Sequence, residues 1–308
     1  MGTEPIAIPA PAQEQLCNRS ITRAVTGYWA LTKPDVNFLI TITVFVGFSL
    51  ARSATSQSFP YVLLIHTLLG TLMVASGTGT LNQVIERKFD AQMRRTARRP
   101  LVLGRVSRIS ALWFGIFLAV GGTVYLATAV NRLSSFIAAL TLVSYLAVYT
   151  PLKRKSWYCM LVGAFPGAAP PLIGWAAASG RLNSEAWSLY FILFLWQFPH
   201  FMAIAWMYRE DYDRAGYVIL PRGAGRSRLM AWQCILPACL LILLSLLPSL
   251  LGKAGLLYSV GALLLGASFL YSGMRMVLCK SNMAARRLLT ASIIYLPSIF
   301  VLMLLSRR

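Results

Sequence analysis

The chain has 308 residues, of which 57% are apolar and only 12% charged, and its mean hydropathy is +0.64. Few soluble domains of this length have such a composition, and the long apolar runs lack the alternation of a transmembrane β-barrel. The net charge of +20 would suggest nucleic-acid binding in a soluble protein, but its distribution along this chain is explained by membrane topology, so we expect no nucleic-acid partner.

The N-terminal segment, residues 1–30, is polar and begins with a stretch dominated by proline and alanine, which predicts disorder. Residues 1–33 contain no apolar run, so we expect no cleaved signal peptide. The segment also lacks the basic, acid-poor amphipathic character of a mitochondrial presequence. These features favour the cytoplasmic (inner) membrane of a bacterium, with the mitochondrial inner membrane as the alternative.

Nine apolar runs approach the length of about 20 residues that crosses a bilayer as a helix. They lie at about residues 36–52, 61–80, 109–130, 133–150, 157–179, 185–206, 232–251, 255–278 and 286–306. Because the connections between them are short, we predict an all-α integral membrane protein. Residues 31–308 would form one domain of nine transmembrane helices.

The basic residues orient these helices. With a cytoplasmic N-terminus, 23 of the 29 Lys and Arg residues fall on the cytoplasmic side. The six outside are Arg52, Arg132, Arg181, Lys253, Arg307 and Arg308. This asymmetry follows the positive-inside rule and places the loops at about 81–108 and 207–231 on the cytoplasmic face. Both loops are rich in acidic residues and are the predicted active-site loops.

The first of these loops opens with Asn82, Glu86 and Asp90, which recur every fourth residue and therefore share one face of a helix. Carboxylate and amide oxygens, completed by water and phosphate oxygens, are the ligands that Mg²⁺ prefers. We predict that these three residues hold Mg²⁺. The alternative is an amphipathic helix end whose acids pair with Arg87 and Arg94.

Arginines that follow this motif predict a diphosphate site, since a guanidinium binds phosphate through two hydrogen bonds. Arg95 and Arg99 would share a face with Glu86 if the helix continued, although Pro100 ends it nearby. Further cations lie at the same membrane face, where they either close the phosphate site or act only as topological anchors: Lys33, Lys153 and Arg154.

The fifth predicted span is irregular, because residues 163–175 contain three prolines and three glycines. It is either a broken helix held by close packing or the wall of a widened cavity. The five cysteines show no metal-binding or redox spacing, and we interpret those in the spans as small apolar residues.

The second acidic loop contains Glu210, Asp211 and Asp213. We predict Asp211 as a ligand of a second cation and the other two as solvated neighbours. His200 lies in the sixth span, about three turns before Asp211. It is either a hydrogen-bonded packing residue or an axial haem ligand.

Taken together, these residues resemble the protohaem IX farnesyltransferase (haem O synthase) family of UbiA-type intramembrane prenyltransferases. The matching segments are Lys33-Pro34, Asn82-Gln83 with Glu86 and Asp90, Arg95-Thr96 with Arg99-Pro100-Leu101, Tyr149-Thr150 with Lys153-Arg154, Pro170-Pro171 with Gly174-Trp175, Trp196-Gln197 with Pro199-His200, Asp211-Tyr212, and Leu220-Pro221. The chain departs from the family pattern in two places. Cys159 replaces an expected asparagine, and Met207 stands where many members have an aspartate four residues before Asp211.

The resemblance implies nine transmembrane helices around a central cavity, and transfer of the farnesyl group of farnesyl diphosphate to a vinyl group of haem B. Hydration would then give haem O for haem–copper terminal oxidases. It implies Mg²⁺ as cofactor, the lipid bilayer as environment, and haem A synthase or terminal oxidase assembly as partners. Implied site residues are Asn82, Glu86, Asp90 and Asp211 for metal, and Lys33, Arg95, Arg99, Tyr149, Lys153 and Arg154 for diphosphate.

Two alternatives remain open on the residues alone. A related prenyltransferase would act on an aromatic acceptor in quinone or chlorophyll synthesis. A secondary transporter for an organic anion would also combine basic patches with broken helices, but it would move its substrate without covalent change.

Overall fold

The computed structural model describes residues 22, 24–52, 59–221, 224–250, 252 and 254–306. In that part of the chain, nine helices are long and apolar enough to cross a membrane, which confirms the predicted all-α membrane fold. They are α1 Pro34–Arg52, α2 Tyr61–Asp90, α3 Arg108–Ala129, α4 Arg132–Leu152, α5 Cys159–Ser179, α6 Ser184–Met207, α7 Ala224–Leu250, α8 Leu256–Cys279 and α9 Asn282–Leu305.

The N-terminal segment predicted to be disordered, residues 1–30, lies mostly outside the described residues. Its described end is helical, in a stretch that covers residues 24–31. Leu31, directly after the segment predicted to be disordered, is fully buried in an apolar cluster with Val84 and Leu101. Its partners are distant in the sequence, so the residues around Leu31 contain no apolar run that would indicate its burial.

Several helices begin at a side-chain cap, in which an oxygen accepts a hydrogen bond from the otherwise free backbone N–H of the first turn. The capping residues of α3, α4, α6 and α9 are Ser107, Asn131, Asn183 and Ser281. These caps fix where each helix starts at the edge of its apolar run.

The irregular fifth span is a broken helix, in two pieces at Cys159–Gly167 and Pro170–Ser179. Its second piece packs tightly on α1, where a Cβ atom added to Gly174 would collide with the carbonyl oxygen of Val44. A Cβ on Gly47 would likewise strike the carbonyl oxygen of Pro171. Small residues thus let the two backbones touch, as expected for close packing within a membrane.

Helix α2 extends well beyond its predicted span of 61–80 and ends at Asp90. At 30 residues it is longer than a bilayer crossing requires, so its last turns project from the apolar bundle. They meet residues 91–107 and the short helix Arg209–Arg214, which follows α6. We call this end of the bundle the loop face.

Helix α4 changes geometry as it approaches the loop face, where Ser144–Tyr149 form a π-helical turn. The N–H of Thr150 donates to the carbonyl oxygen of Tyr145, five residues back. Such turns insert one residue into a helix and are frequent at functional sites. Here the turn places the rings of Tyr145 and Tyr149 side by side, with centroids 5.0 Å apart.

Candidate active site

The three predicted metal ligands at the end of α2 lie together on one buried helix face. Asn82 is 1% exposed, Glu86 6% and Asp90 1%. A buried carboxylate is costly unless it is paired with a charge or hydrogen-bonded. The surrounding segments must therefore supply cations to this face.

One cation meets each of these side chains, and each comes from a different part of the chain. The contacts are Lys33 Nζ to Asn82 Oδ1 at 3.3 Å, Lys153 Nζ to Glu86 Oε1 at 2.8 Å, and Arg99 Nη1 to Asp90 Oδ2 at 2.5 Å. We call these six residues the charge cluster. The predicted cations Lys33, Lys153 and Arg99 therefore lie where a diphosphate beside the α2 oxygens would need them.

Lys33 reaches the cluster from a strained backbone position just before α1. Its φ of 53° is in the left-handed region, which a lysine rarely adopts. Burial, together with the positive charges of Arg99 and Lys153, lowers the pKa of Lys33 to about 7. An anion bound at the cluster would favour the charged form of this lysine.

Lys153 lies against two tyrosine rings that border the charge cluster. Its Nζ lies 4.5 Å from the ring centroid of Tyr149 and 6.0 Å from that of Tyr145. The π-helical turn of α4 therefore places both rings next to the charge cluster. Arg154 does not join them, since its guanidinium lies 4.3 Å from the ring centroid of Phe89 and its side chain is exposed.

Arg99 reaches Asp90 by a route different from the predicted one. The helix ends at Asp90, and residues 91–106 form turns, so Arg95 and Arg99 do not continue the helical face of Glu86. The condition for a shared face, a helix that continues past Asp90, is therefore not met, and Arg99 folds back onto the end of α2. The backbone N–H of Arg99 donates to the carbonyl oxygen of Thr96, which stabilises this reversal.

Asp211 lies at the contact between the two loops. It is buried, its Oδ2 accepts from the backbone N–H of Arg95 at 3.2 Å, and its Oδ1 accepts from Arg214 Nη1 at 3.3 Å. Glu210 and Asp213 are exposed, in agreement with the prediction that they are solvated. Asp211 therefore fastens residues 91–107 to the short helix.

Arg95 stands outside the charge cluster, beside two tyrosines of the second loop. Its guanidinium lies 5.2 Å from the ring centroid of Tyr208 and 5.9 Å from that of Tyr212. Next to it is a cavity of about 400 Å³ lined by Arg94, Arg95, Met207, Tyr208, Glu210 and Asp211. Arg95 thus presents a positive charge at an opening between the loops.

Tyr217 is a residue of the second loop that the sequence interpretation missed. It is 5% exposed, and its hydroxyl makes no hydrogen bond of normal geometry with the described residues. Burial, with the neighbouring carboxylate of Glu86, raises the pKa of Tyr217. The N–H of Val218 donates to the carbonyl oxygen of Lys153 at 2.8 Å, which holds this segment against the cluster. The only sequence signal was an aromatic residue directly after Gly216.

His200 lies on the side of α6 that packs on α9. Its Nδ1 is 2.7 Å from the Oγ of Ser292, and its ring stacks on Trp196 at 4.5 Å between centroids. Trp196 in turn donates to the carbonyl oxygen of Ser292 at 2.8 Å. The hydrogen bond and the stacking fix the orientation of the imidazole.

The end of α2 fits a magnesium ion by its chemistry. Asn82, Glu86 and Asp90 supply oxygen donors, and Asp90 Oδ1 is buried without a hydrogen-bond partner among the described residues. No group of three or more His, Cys, Asp or Glu side chains gathers in the described part of the chain. A Mg²⁺ site does not require one, since water and substrate phosphate complete its coordination.

Comparison with known proteins identifies the family of this chain. Residues 36–299 match the UbiA prenyltransferase family. A relative from Solibacter usitatus, described as protoheme IX farnesyltransferase, is 50% identical over 91% of this chain and 98% of its own length. A second, from Koribacter versatilis and described in the same words, is 40% identical over 99% of this chain and 98% of its own length.

Solved structures share the fold at low sequence identity. A digeranylgeranylglyceryl phosphate synthase superposes with a TM-score of 0.76 at 15% identity, over 92% of this chain and 98% of that one. A UbiA homolog from Archaeoglobus fulgidus bound to DMAPP and Mg²⁺ gives 0.62 at 15% identity, over 90% and 99%. The protein described here is thus a member of the UbiA prenyltransferase family.

Proposed function

We propose that the protein transfers the farnesyl group of farnesyl diphosphate to a vinyl group of haem B and adds water, which gives haem O. The observation that carries the diphosphate half of this proposal is the charge cluster, with three cations facing three oxygen ligands. The haem half rests on the relatives described as protoheme IX farnesyltransferase, 50% and 40% identical over nearly their whole length.

Asn82, Glu86 and Asp90 would hold Mg²⁺ at the end of α2. When bound, the ion would neutralise negative charge on the departing diphosphate. Asp211 is the proposed ligand of a second cation, for which it would have to exchange its contact with Arg214. Its contact with the backbone of Arg95 already gives it a second role, which is to position the first loop.

The three cations of the cluster would exchange their acidic partners for diphosphate oxygens. Lys33, Lys153 and Arg99 all lie within hydrogen-bonding distance of an α2 side chain, so a short shift of each suffices. Arg95 and Arg154 would add positive charge from the loop opening and from the turn that follows α4. Such groups accelerate ionisation because they bind the leaving diphosphate more strongly as its charge grows.

Ionisation breaks the bond between C1 of the farnesyl group and the diphosphate oxygen, and the electron pair leaves with the diphosphate. The allylic cation is then attacked by the π electrons of the vinyl group. Water adds to the resulting cation and releases a proton, which leaves a hydroxyethylfarnesyl substituent. Lys153 Nζ lies over the ring of Tyr149, so a shift of Lys153 toward the diphosphate would leave that ring face to the allylic cation.

For the acceptor, we propose His200 as an axial ligand of haem B. Its Nδ1 is engaged by Ser292, which leaves Nε2 for iron and fixes the ring, as the outer partner of a metal-bound histidine does. The alternative is that His200 only ties α6 to α9.

The proposed setting is a bacterial inner membrane with the loop face toward the cytoplasm. There the bilayer dissolves the two apolar substrates and keeps bulk water from the cation. Haem A synthase or a terminal oxidase assembly would then receive the product.

The test of acceptor choice is a competition between haem B and 4-hydroxybenzoate. Purified protein would receive both acceptors in equal amounts, with farnesyl diphosphate and Mg²⁺. We expect farnesyl to appear on the porphyrin. Transfer to the hydroxybenzoate would instead assign the protein to an aromatic acceptor.

A further inference from the structure

A second basic site lies on the loop face, away from the charge cluster, at the turn between α8 and α9. There a cavity of about 180 Å³ is lined by Tyr271, Ser272, Arg275, Cys279, Ser281, Met283, Ala284 and Arg287. It is smaller than the pockets that enclose whole drug-sized ligands and is suited to a compact head group.

The two arginines of this cavity have no anionic partner among the residues that the structure describes. Arg275 and Arg287 are exposed, and neither makes a hydrogen bond or an ion pair with a residue that the structure describes. The sequence explains this, since no Asp or Glu follows Asp213 in the chain. Within the described residues, no acidic side chain neutralises these two charges.

The surface around the cavity is apolar on the side that faces the bilayer. Tyr271 is 60% exposed, Met283 58% and Leu278 78%. Ser272 and Ser281 line the cavity beside the arginines. A molecule that satisfies both features has a negatively charged head and an apolar tail.

We propose that this cavity binds the phosphate head group of an anionic phospholipid. Arg275 and Arg287 bind the phosphate oxygens, while the acyl chains lie along α8 and α9. Basic pockets between transmembrane helices on the cytoplasmic side commonly bind such lipids, and the positive-inside pattern assigns the loop face to that side. The site is separate from the charge cluster and does not depend on the proposed reaction.

The bound lipid would also lie next to the second loop. Arg209 Nη1 donates to Asn282 Oδ1 at 2.9 Å and to the carbonyl oxygen of Trp206 at 2.9 Å. This links the first residue of α9 to the short helix that carries Asp211. The lipid is thus in a position to stabilise the joint between α9 and the loop.

The experiment is native mass spectrometry of the full-length protein in neutral detergent, titrated with cardiolipin. The test variant is Arg275→Gln/Arg287→Gln. The matched control, Arg228→Gln/Arg286→Gln, removes the same charge from exposed positions that do not line the cavity. Phosphatidylcholine tests for apolar binding alone, and glycerol 3-phosphate tests for a free phosphate ligand. The melting temperature of each variant verifies that it is folded.

We expect the affinity for one cardiolipin to fall by about tenfold or more in the test variant, since each basic residue near the surface contributes about 1 kcal/mol. The control variant should bind as the unmodified protein does, and neither phosphatidylcholine nor glycerol 3-phosphate should compete. Equal loss in both variants, or no loss in either, would overturn the site. Displacement by glycerol 3-phosphate would overturn the lipid as its ligand.

Discussion

Lys153 and Glu86 form an ion pair, with Nζ and Oε1 2.8 Å apart, that joins the end of α4 to the end of α2. The neighbouring contacts of Lys33 with Asn82 and of Arg99 with Asp90 repeat the pattern. Three cations from separate segments therefore occupy the oxygens proposed to hold Mg²⁺. In our proposal, substrate and ion enter together and separate these pairs.

The first prediction concerns this ion pair. Lys153→Met should lower the melting temperature, because it leaves Glu86 buried without a partner, at a cost of about 3–5 kcal/mol. The double variant Lys153→Met/Glu86→Gln should recover much of that stability but no turnover. The measurements are thermal unfolding in detergent and product formation. A double variant as unstable as Lys153→Met would show that the pair is not what stabilises this joint.

Asp90→Ala should reduce product formation by about 100-fold or more, since it removes a proposed metal ligand and the partner of Arg99. Insertion should be unaffected, because Asp90 is the last residue of α2. Turnover of the purified protein and its recovery from the membrane fraction measure the two effects. Asp213→Ala, which removes an exposed acid of the second loop, is the control and should remain active. Near-normal turnover of Asp90→Ala would refute the metal assignment.

Arg95→Ala should also abolish product while the protein still inserts. The guanidinium beside Tyr208 and Tyr212 is then lost, together with its charge at the loop opening. The neighbouring Arg98→Ala removes an exposed arginine from the same loop and should change turnover little. Equal effects of the two substitutions would indicate a general charge effect on the loop instead of a specific role for Arg95.

Tyr217→Phe should stabilise the substrate-free protein by about 1 kcal/mol, since it removes a buried hydroxyl that makes no hydrogen bond of normal geometry with the described residues. At the same time we expect KM for farnesyl diphosphate to rise, because the hydroxyl lies beside the charge cluster. Tyr258→Phe is the contrasting control. Its hydroxyl donates to the carbonyl oxygen of Ser245 at 2.7 Å, so its loss should destabilise the protein. A destabilised Tyr217→Phe would show that its hydroxyl is already satisfied.

His200→Ala tests whether His200 is an axial ligand of haem B. If His200 binds iron, the absorption spectrum of bound haem B should change in His200→Ala. Ser292→Ala frees the imidazole ring but keeps it, so the change in the spectrum should be smaller. Both spectra are recorded on protein purified with haem B. An unchanged spectrum in His200→Ala would exclude it as the axial ligand and leave it as the link between α6 and α9.

The spans and the face that carries Asn82, Glu86 and Asp90 follow from sequence because both depend on local periodicity and on runs of apolar residues. The partners of these residues do not. Lys33 reaches Asn82 through a backbone conformation rare for lysine, and Arg99 reaches Asp90 only because the helix stops there.

The loop contacts were equally beyond prediction from sequence. The contact of Asp211 with the backbone of Arg95 joins residues more than a hundred positions apart and depends on how two irregular segments pack. Tyr217 was missed for the same reason, since its burial is set by Met93 and Ala215 and not by a local motif. The family resemblance indicated which acidic and basic residues belong to the site, whereas only the folded structure shows which of them contact each other.

The most direct test of the central proposal is the mass of the porphyrin product formed from haem B and farnesyl diphosphate with Mg²⁺, in ordinary water and in water enriched in oxygen-18. We predict a product heavier than haem B by one farnesyl group and one hydroxyl group, with the heavy oxygen incorporated from the enriched solvent. A porphyrin of unchanged mass, or one that gains farnesyl without solvent oxygen, would contradict it.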